Sequence, residues 1–402
     1  MNFHKFAAYI LAIIMLLGVI SFTACDSNDK YGSINDRSDS ASENSDIPSD
    51  ENSSNHDDNR KSDNESIKFA RETFNITLPI VTAGEALDIV KMDLPAQIDG
   101  SLVHWGELID EDLFIVDLLD KRESGLYNIK SHEYSPLPGI GIDNDLCAYN
   151  RNHIVFKRYD GDFTVHSDDD SVKLYLYDIS NKTYSMIYEY SFDRYIELYY
   201  HWTNGIVLTD NIIYFDDISE GDDAQLHAYI YSYDIQSGKV EKILDDAQNP
   251  FMFNGDILYF KLKGDRYEHI SSLNGKYDLD INGDVSYLAA LSDSFYSLGV
   301  FSNDNEKRVT TWGIRDLVTN EYFLITNRTI SFLFHGDSFL AFSDYGIHGY
   351  PIVYNAQDRN IIVFDGFYDA SVYWRFYRDI GIIGVIGDSP ELYMFKLKKF
   401  SA

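Results

Sequence analysis

From about Thr73 onward the chain returns again and again to short apolar and aromatic runs, each bounded by Asn, Asp or Gly. Such runs, with little helical periodicity between them, predict an all-β fold. One apolar strand recurs seven times: DLFIVD at Asp112, HIVFKR at His153, IIYFDD at Ile212, ILYFKL at Ile257, SFYSLG at Ser294, SFLAFS at Ser338 and GIIGVI at Gly381. The starts lie 37 to 59 residues apart, the repeat length of propeller blades. Each is followed by a second run (GLYNIK, KLYLYD, YIYSYD, HISSLN, TTWGIR, YPIVYN, ELYMFK) and usually by a third, such as TYSMIYEY, KVEKIL or NIIVFD. A further run, for example HWTNGIVL or ISFLF, precedes the repeated strand, so each unit reads as four antiparallel strands.

The last unit ends at ELYMFKLKKF without a fourth strand of its own. ALDIVKM, Ala86 to Met92, can supply it and close the ring, removing two exposed sheet edges. The same stretch, Gly84 to Leu94, also reads as one amphipathic helix. The expected fold is thus an all-β propeller of seven four-stranded blades over residues 67–402, with an N-terminal strand completing the last blade.

The strand–turn–strand form of LYLYDISNKTYS (Leu174 to Ser185) and YIYSYDIQSGKVEKIL (Tyr229 to Leu244) resembles the extracellular β-propellers of the TolB-like and YWTD-containing kinds. HWTN, His201 to Asn204, is a single echo of the YWTD motif and does not recur. The resemblance implies architecture; propellers bind, signal and catalyse alike.

The N-terminus differs in kind. MNFHKFAAYILAIIMLLGVISFTAC has a short basic start, an apolar run from Ala7 to Phe22 and small residues before Cys25, the pattern of an export signal over residues 1–25. FTAC resembles the lipobox of bacterial lipoproteins, which implies lipidation of Cys25 and anchoring to the outer face of the cell membrane. An uncleaved membrane anchor is the alternative, since a spanning helix uses roughly 17–25 residues. Residues 26–66 are mostly Ser, Asn, Asp and Glu and read as a disordered acidic tether, with an r.m.s. span of about 35 Å.

Charge narrows the partners. The chain carries 33 basic and 65 acidic residues, a net −32, which argues against nucleic acid, whose binding rests on Lys and Arg. Proteins and glycans at the cell surface remain. Two segments predict an acidic rim on one face: Asp160, Asp162, Asp168, Asp169 and Asp170 in YDGDFTVHSDDDS, and Asp216, Asp217, Glu220, Asp222 and Asp223 in FDDISEGDDAQ. Such a rim steers basic partners or concentrates cations; its bland counterpart is a set of solvated loop tips.

YDLDINGD places Asp278, Asp280, Asn282 and Asp284 at calcium-loop spacing, but Ala289 stands where the bidentate Glu belongs. A fourth strand running into an Asn-Gly turn explains the same residues. No cofactor is implied beyond that candidate calcium. Trp105, Trp202, Trp312 and Trp374 fall on predicted strands and read as packing between blades, and Cys147 as a small strand residue without a partner or catalytic role. No metalloprotease, dinucleotide-loop, phosphate-loop or Gly-x-Ser-x-Gly motif appears. The reading is a membrane-anchored extracellular module that binds a protein or glycan without chemistry. The alternative is a carbohydrate-active hydrolase with carboxylates converging from different blades.

Overall fold

The computed structural model describes residues 58–74, 76–160, 171–190, 205–220, 226–253, 255–263, 266–280, 284–290, 295–304, 307–316, 322–326, 332–343, 349–368, 370, 372–386 and 391–398. Residues 55–402 form one compact unit. Among the described residues the strands form seven sheets, numbered here in chain order. Sheet 1 runs from Gln97–Ile98 through Ser101–Asp110, Leu113–Leu118 and Glu123–Asn128 to Glu133–Pro136. Sheet 2 comprises Asp145–Tyr149, His153–Asp160, Ser171–Asp178 and Thr183–Glu189; sheet 3, Ile206–Leu208, Ile212–Glu220, Leu226–Asp234 and Lys239–Asp245. Sheet 4 comprises Ala247–Phe253, Asp256–Lys263, Arg266–Ser272 and Asp278–Asp280; sheet 5, Asp284–Ala290, Phe295–Asp304, Lys307–Asp316 and Tyr322–Thr326. Sheet 6 is built from Phe332–His335, Phe339–Ser343, Ile352–Asn355 and Asn360–Val363; sheet 7, from Val372–Tyr377, Ile380–Val385 and Glu391–Leu397.

Counting Ser101–Asp110 as the first strand of sheet 1, with Gln97–Ile98 a two-residue addition at its edge, every one of the seven recurring apolar runs forms the second strand of its sheet. In sheets 1, 2 and 7 these strands are hydrophobic on both faces because a neighbouring sheet covers each face. Phe114, Val116 and Leu118 pack against Ile380 and Ile382 of sheet 7, while Ile115 meets Ile154 and Phe156 of sheet 2. Val155 and Leu174 then meet Ile213 and Phe215 of sheet 3. Phe339, Ala341 and Ile362 of sheet 6 meet Trp374, Ile383 and Phe395 of sheet 7. Sheets 6, 7, 1, 2 and 3 thus stack face on face, the last sheet of the chain against the first, as the blades of a β-propeller do.

The hairpins joining third and fourth strands in sheets 1, 2, 3 and 6 share one device. Asn128, Asp178, Asp234 and Asn355 each accept a backbone N–H two or three residues on. Four residues after each, His132, Lys182, Gly238 and Arg359 take a positive φ. Asx side chains nucleate such turns, which is why Asn and Asp punctuate the apolar runs.

Sheet 7 is completed as expected: Leu87–Lys91 pairs antiparallel with Glu391–Leu397, from Leu87 opposite Leu397 to Lys91 opposite Tyr393. The helical alternative for this stretch is confined to Ala83–Ala86. There Thr82 and Glu85 form a reciprocal cap in which each side chain accepts the other's backbone N–H. An unforeseen strand precedes it, Ile80–Thr82, which lies parallel to Ile361–Val363 on the outer edge of sheet 6. The N-terminal segment therefore holds the outer edges of two neighbouring sheets.

A second addition is a helix, Asp58–Phe74, beginning inside the stretch read as tether. Ser66 and Ala70 are buried. Ala70 joins a cluster with Ile76, Leu340, Tyr354 and Ile361, against which Phe69 also packs. Positions 66, 69, 70 and 73 make an i, i+3, i+4, i+7 stripe too short in large apolar side chains to stand out in an acidic segment. Among the described residues no helix is long and apolar enough to cross a membrane.

Candidate functional site

The first strands of the sheets are neighbours in space: that of sheet 3 approaches those of sheets 2 and 4, and that of sheet 7 approaches that of sheet 1. Four of them, in sheets 1, 2, 4 and 5, break register in their middle, at Trp105/Leu108, Leu146/Ala148, Gln248/Phe251 and Val285/Tyr287. Bulges of this kind re-aim side chains and free backbone groups from the ladder. In sheets 1 and 4 they set Glu107 and Asn249 against polar groups from other sheets.

The first group joins sheets 7, 1 and 2. Arg375 donates from Nε to the Gly106 carbonyl at 3.2 Å and lies 3.0 Å from Glu107 Oε1. Its Nη1 donates to the Trp374 carbonyl at 2.8 Å, and its guanidinium sits 5.4 Å from the Tyr373 ring centre. Tyr149 of sheet 2 donates to Glu107 Oε2 at 3.2 Å. Burial and then the Glu107 charge hold the Tyr149 hydroxyl well above the ordinary phenol range. A planar guanidinium with several fixed acceptors is rigid. The carboxylate it faces keeps 31% of its side-chain surface open.

The second group joins sheets 2, 3 and 4. Asp145 lies opposite Lys157 in the register of sheet 2, and the Lys157 ammonium is 5.3 Å from the Tyr190 ring centre. Asp216 reaches from sheet 3 to sheet 4, where Oδ2 accepts the Asn249 N–H at 2.8 Å. Its Oδ1 lies so close to Gly205 that a Cβ there would sit 2.8 Å away. Burial raises the Asp216 carboxyl to about 6 against the pull of the Asn249 N–H and of Lys157. Burial raises Asp145 as well, opposed by Lys157, and pushes the Cys147 thiol up to about 12, which leaves it protonated and unreactive at neutral pH. Cys147 is a free cysteine donating to the Asp145 carbonyl. On the other side of sheet 3, Asp217 is buried and accepts from Tyr188 of sheet 2 at 2.7 Å.

The residues singled out from the sequence fall in several places. Asp216 and Asp217 lie within the second strand of sheet 3, not on its loop: position 216 faces sheet 4 and position 217 faces sheet 2. Strand alternation, applied to two consecutive carboxylates, sends them to opposite seams. Asp160 and Glu220 end the second strands of sheets 2 and 3. Cys25, Asp162, Asp168, Asp169, Asp170, Asp222, Asp223 and Asn282 lie outside the described residues, as does Trp202.

Asp278 and Asp280 are on the fourth strand of sheet 4, opposite Ser271 and His269, and Asp284 opens sheet 5. Asp278 accepts from Ser271 at 3.0 Å and is 76% exposed. Among the described residues no three His, Cys, Asp or Glu side chains are grouped to hold a metal ion. Trp105 and Trp374 are buried between sheets, as packing residues. Arg375, Glu107, Tyr149 and Asp145 carry no signal in the sequence, since their partners come from other repeats.

No protein-family model matches the chain, and no curated protein matches it. Among solved structures it is similar to an oligogalacturonate lyase in complex with manganese, at 12% identity and a TM-score of 0.46, covering 78% of this chain and 97% of that one. It is also similar to the β-propeller domain of the trilobed protease from Pyrococcus furiosus, at 10% identity and a TM-score of 0.46, covering 75% and 96% respectively. A third similar structure is an uncharacterized protein from Listeria monocytogenes EGD-e, at 9% identity and a TM-score of 0.44, covering 77% and 94%.

Proposed function

We propose that this chain is a lipid-anchored extracellular binding protein whose seven sheets close into one seven-bladed wheel, and that it recognises a protein or glycan at the cell surface. The observation that carries this reading is the clamped state of the inner polar groups. Glu107 is held by Arg375 and Tyr149, and Asp216 by a backbone N–H from the next sheet. Half-open polar groups fixed by partners from neighbouring sheets suit recognition, because the geometry is set before a ligand arrives. The net charge of −32 favours neutral or basic partners. The sequence at Cys25 supports the anchor.

A second reading keeps the hydrolase, on one observation: burial raises both Asp145 and Asp216, as a general acid requires. The full chain, probed against a glycan array and surface proteins with reducing-end release followed in parallel, separates the two. Saturable binding without release is expected. Release of reducing ends that Asp216→Asn and Asp145→Asn abolish would replace the binding reading with the hydrolase.

A further inference from the structure

The junction at Asp216 goes beyond ligand binding. This carboxylate crosses from the second strand of sheet 3 to the bulged first strand of sheet 4. It accepts the N–H of Asn249 at 2.8 Å, a residue at φ +54°. The backbone there is in the left-handed region, where a non-glycine residue is held only by its surroundings. Pro250 follows at once, with no N–H of its own to give. Gly205, just before the first strand of sheet 3, leaves no room for a Cβ between Asp216 Oδ1, the Asn249 Cα and Pro250 Cδ, each 2.8 Å from where it would stand. One oxygen thus holds the bulge of sheet 4 while the other abuts the entrance of sheet 3.

We propose that Asp216 is a proton-sensitive joint between sheets 3 and 4, whose charge state sets how firmly the Asn249–Pro250 bulge is held. Among the described residues, two charged groups act on it directly. Lys157 of sheet 2 favours its ionised form, and Asp217 beside it on the same strand opposes that form. Asp217 is itself occupied by Tyr188, and Asp145 faces Lys157 from the neighbouring strand. From sheet 4 the Asn249 N–H favours the ionised form as well. As pH falls the joint takes up a proton; the neutral acid is a weaker acceptor than the carboxylate, and the attraction to Lys157 is lost.

The sign of the stability effect follows from the raised carboxyl, about 6 in the folded chain against an ordinary 3.8. Between those values the folded state holds a proton that the unfolded state does not. This group's contribution to stability therefore falls as pH rises from about 4 to about 6, and stays lower above that.

Gln248–Asn249 is the only Gln–Asn step in the chain, so labelling Gln carbonyl carbon and Asn amide nitrogen isolates the Asn249 amide in the full chain. Its resonance is expected to titrate with a midpoint near pH 6, and to stop titrating in Asp216→Asn. The melting temperature of the wild type is expected to fall by roughly 2–4 °C relative to that variant between pH 4 and pH 7. A flat Asn249 resonance from pH 4.5 to 7.5 in the wild type overturns the joint, whether or not the variant folds. An unchanged titration in the variant overturns it equally. Neither readout depends on a ligand.

Discussion

Arg375 donates to the carbonyl of Gly106, 269 positions earlier in the chain, and its guanidinium faces Glu107 beside it. This contact joins the first strand of sheet 7 to the first strand of sheet 1, where the end of the repeat array meets its beginning. Because Arg375 is 19% exposed and Glu107 31%, solvent screens the pair in part, and its worth lies below that of a sealed ion pair. Arg375→Met is expected to cost about 1–3 kcal/mol, seen as a lower urea midpoint at unchanged slope. Arg375→Lys should recover only part of it, since an ammonium cannot serve Gly106, Glu107 and Trp374 in one plane. A loss under about 0.5 kcal/mol in the Met variant would assign the closure to the apolar cluster alone.

The N-terminal strand of sheet 7 gives a prediction with an internal control. Leu87 is buried among Phe339, Trp374 and Phe395, whereas Val90 on the same strand is 64% exposed. Leu87→Ala should cost about 2–4 kcal/mol, as a buried truncation does. Val90→Lys should stay within about 0.5 kcal/mol and further guard the edge. Equal effects in thermal unfolding would mean that Leu87–Lys91 is a loosely applied strand and not part of the closing sheet.

How much of this was legible before the fold follows from the range of the interactions. The second strands were plain because their apolar character is local, and Ala86 to Met92 was recognisable as the closing strand because sheet 7 lacked a fourth. The helix at Asp58–Phe74 was hidden by its composition: Phe69 and Ala70 are a small apolar stripe in a run of Asp, Asn, Arg and Ser. Asp216 and Asp217 have the composition of a loop because acidic residues continue to Asp223, yet pairing with Tyr231 to Leu226 extends the strand through Glu220. The polar groups of the inner strands were invisible for a geometric reason. Bulges shift which side chain faces which seam, and no local pattern shows that Arg375 finds Glu107 or Asp216 finds Asn249.

The docking of the first helix turns on a missing side chain. A Cβ on Gly349 would lie 1.9 Å from Phe69 Cζ, and the Phe69 ring stands edge-on to Tyr350 at 5.6 Å. Gly349→Ala must therefore displace Phe69, at a cost of about 1–3 kcal/mol, and the strain falls on the helix. Limited proteolysis should cut between Asp58 and Phe74 faster in the variant, with the sheets cut at the wild-type rate. Unchanged cleavage there would show that Ser66 and Ala70 hold the helix without Phe69.

Calcium at Asp278 is the remaining question from the sequence, and the strand geometry gives an expected answer. Asp278 pairs with Ser271 across the ladder and Asp280 with His269. The two carboxylates thus belong to neighbouring alternate positions of one short strand. Asp278 accepts from Ser271 and lies 3.8 Å from His269 Nδ1, partners that a hard cation would have to displace. Position 289, where a bidentate Glu would complete a loop, is Ala. Chelation with EDTA is therefore expected to leave the melting temperature unchanged, and Asp278→Asn to shift stability by less than about 0.5 kcal/mol, as befits an exposed strand residue. A fall in melting temperature on chelation, restored by calcium and absent in Asp278→Asn, would put a cation on this strand.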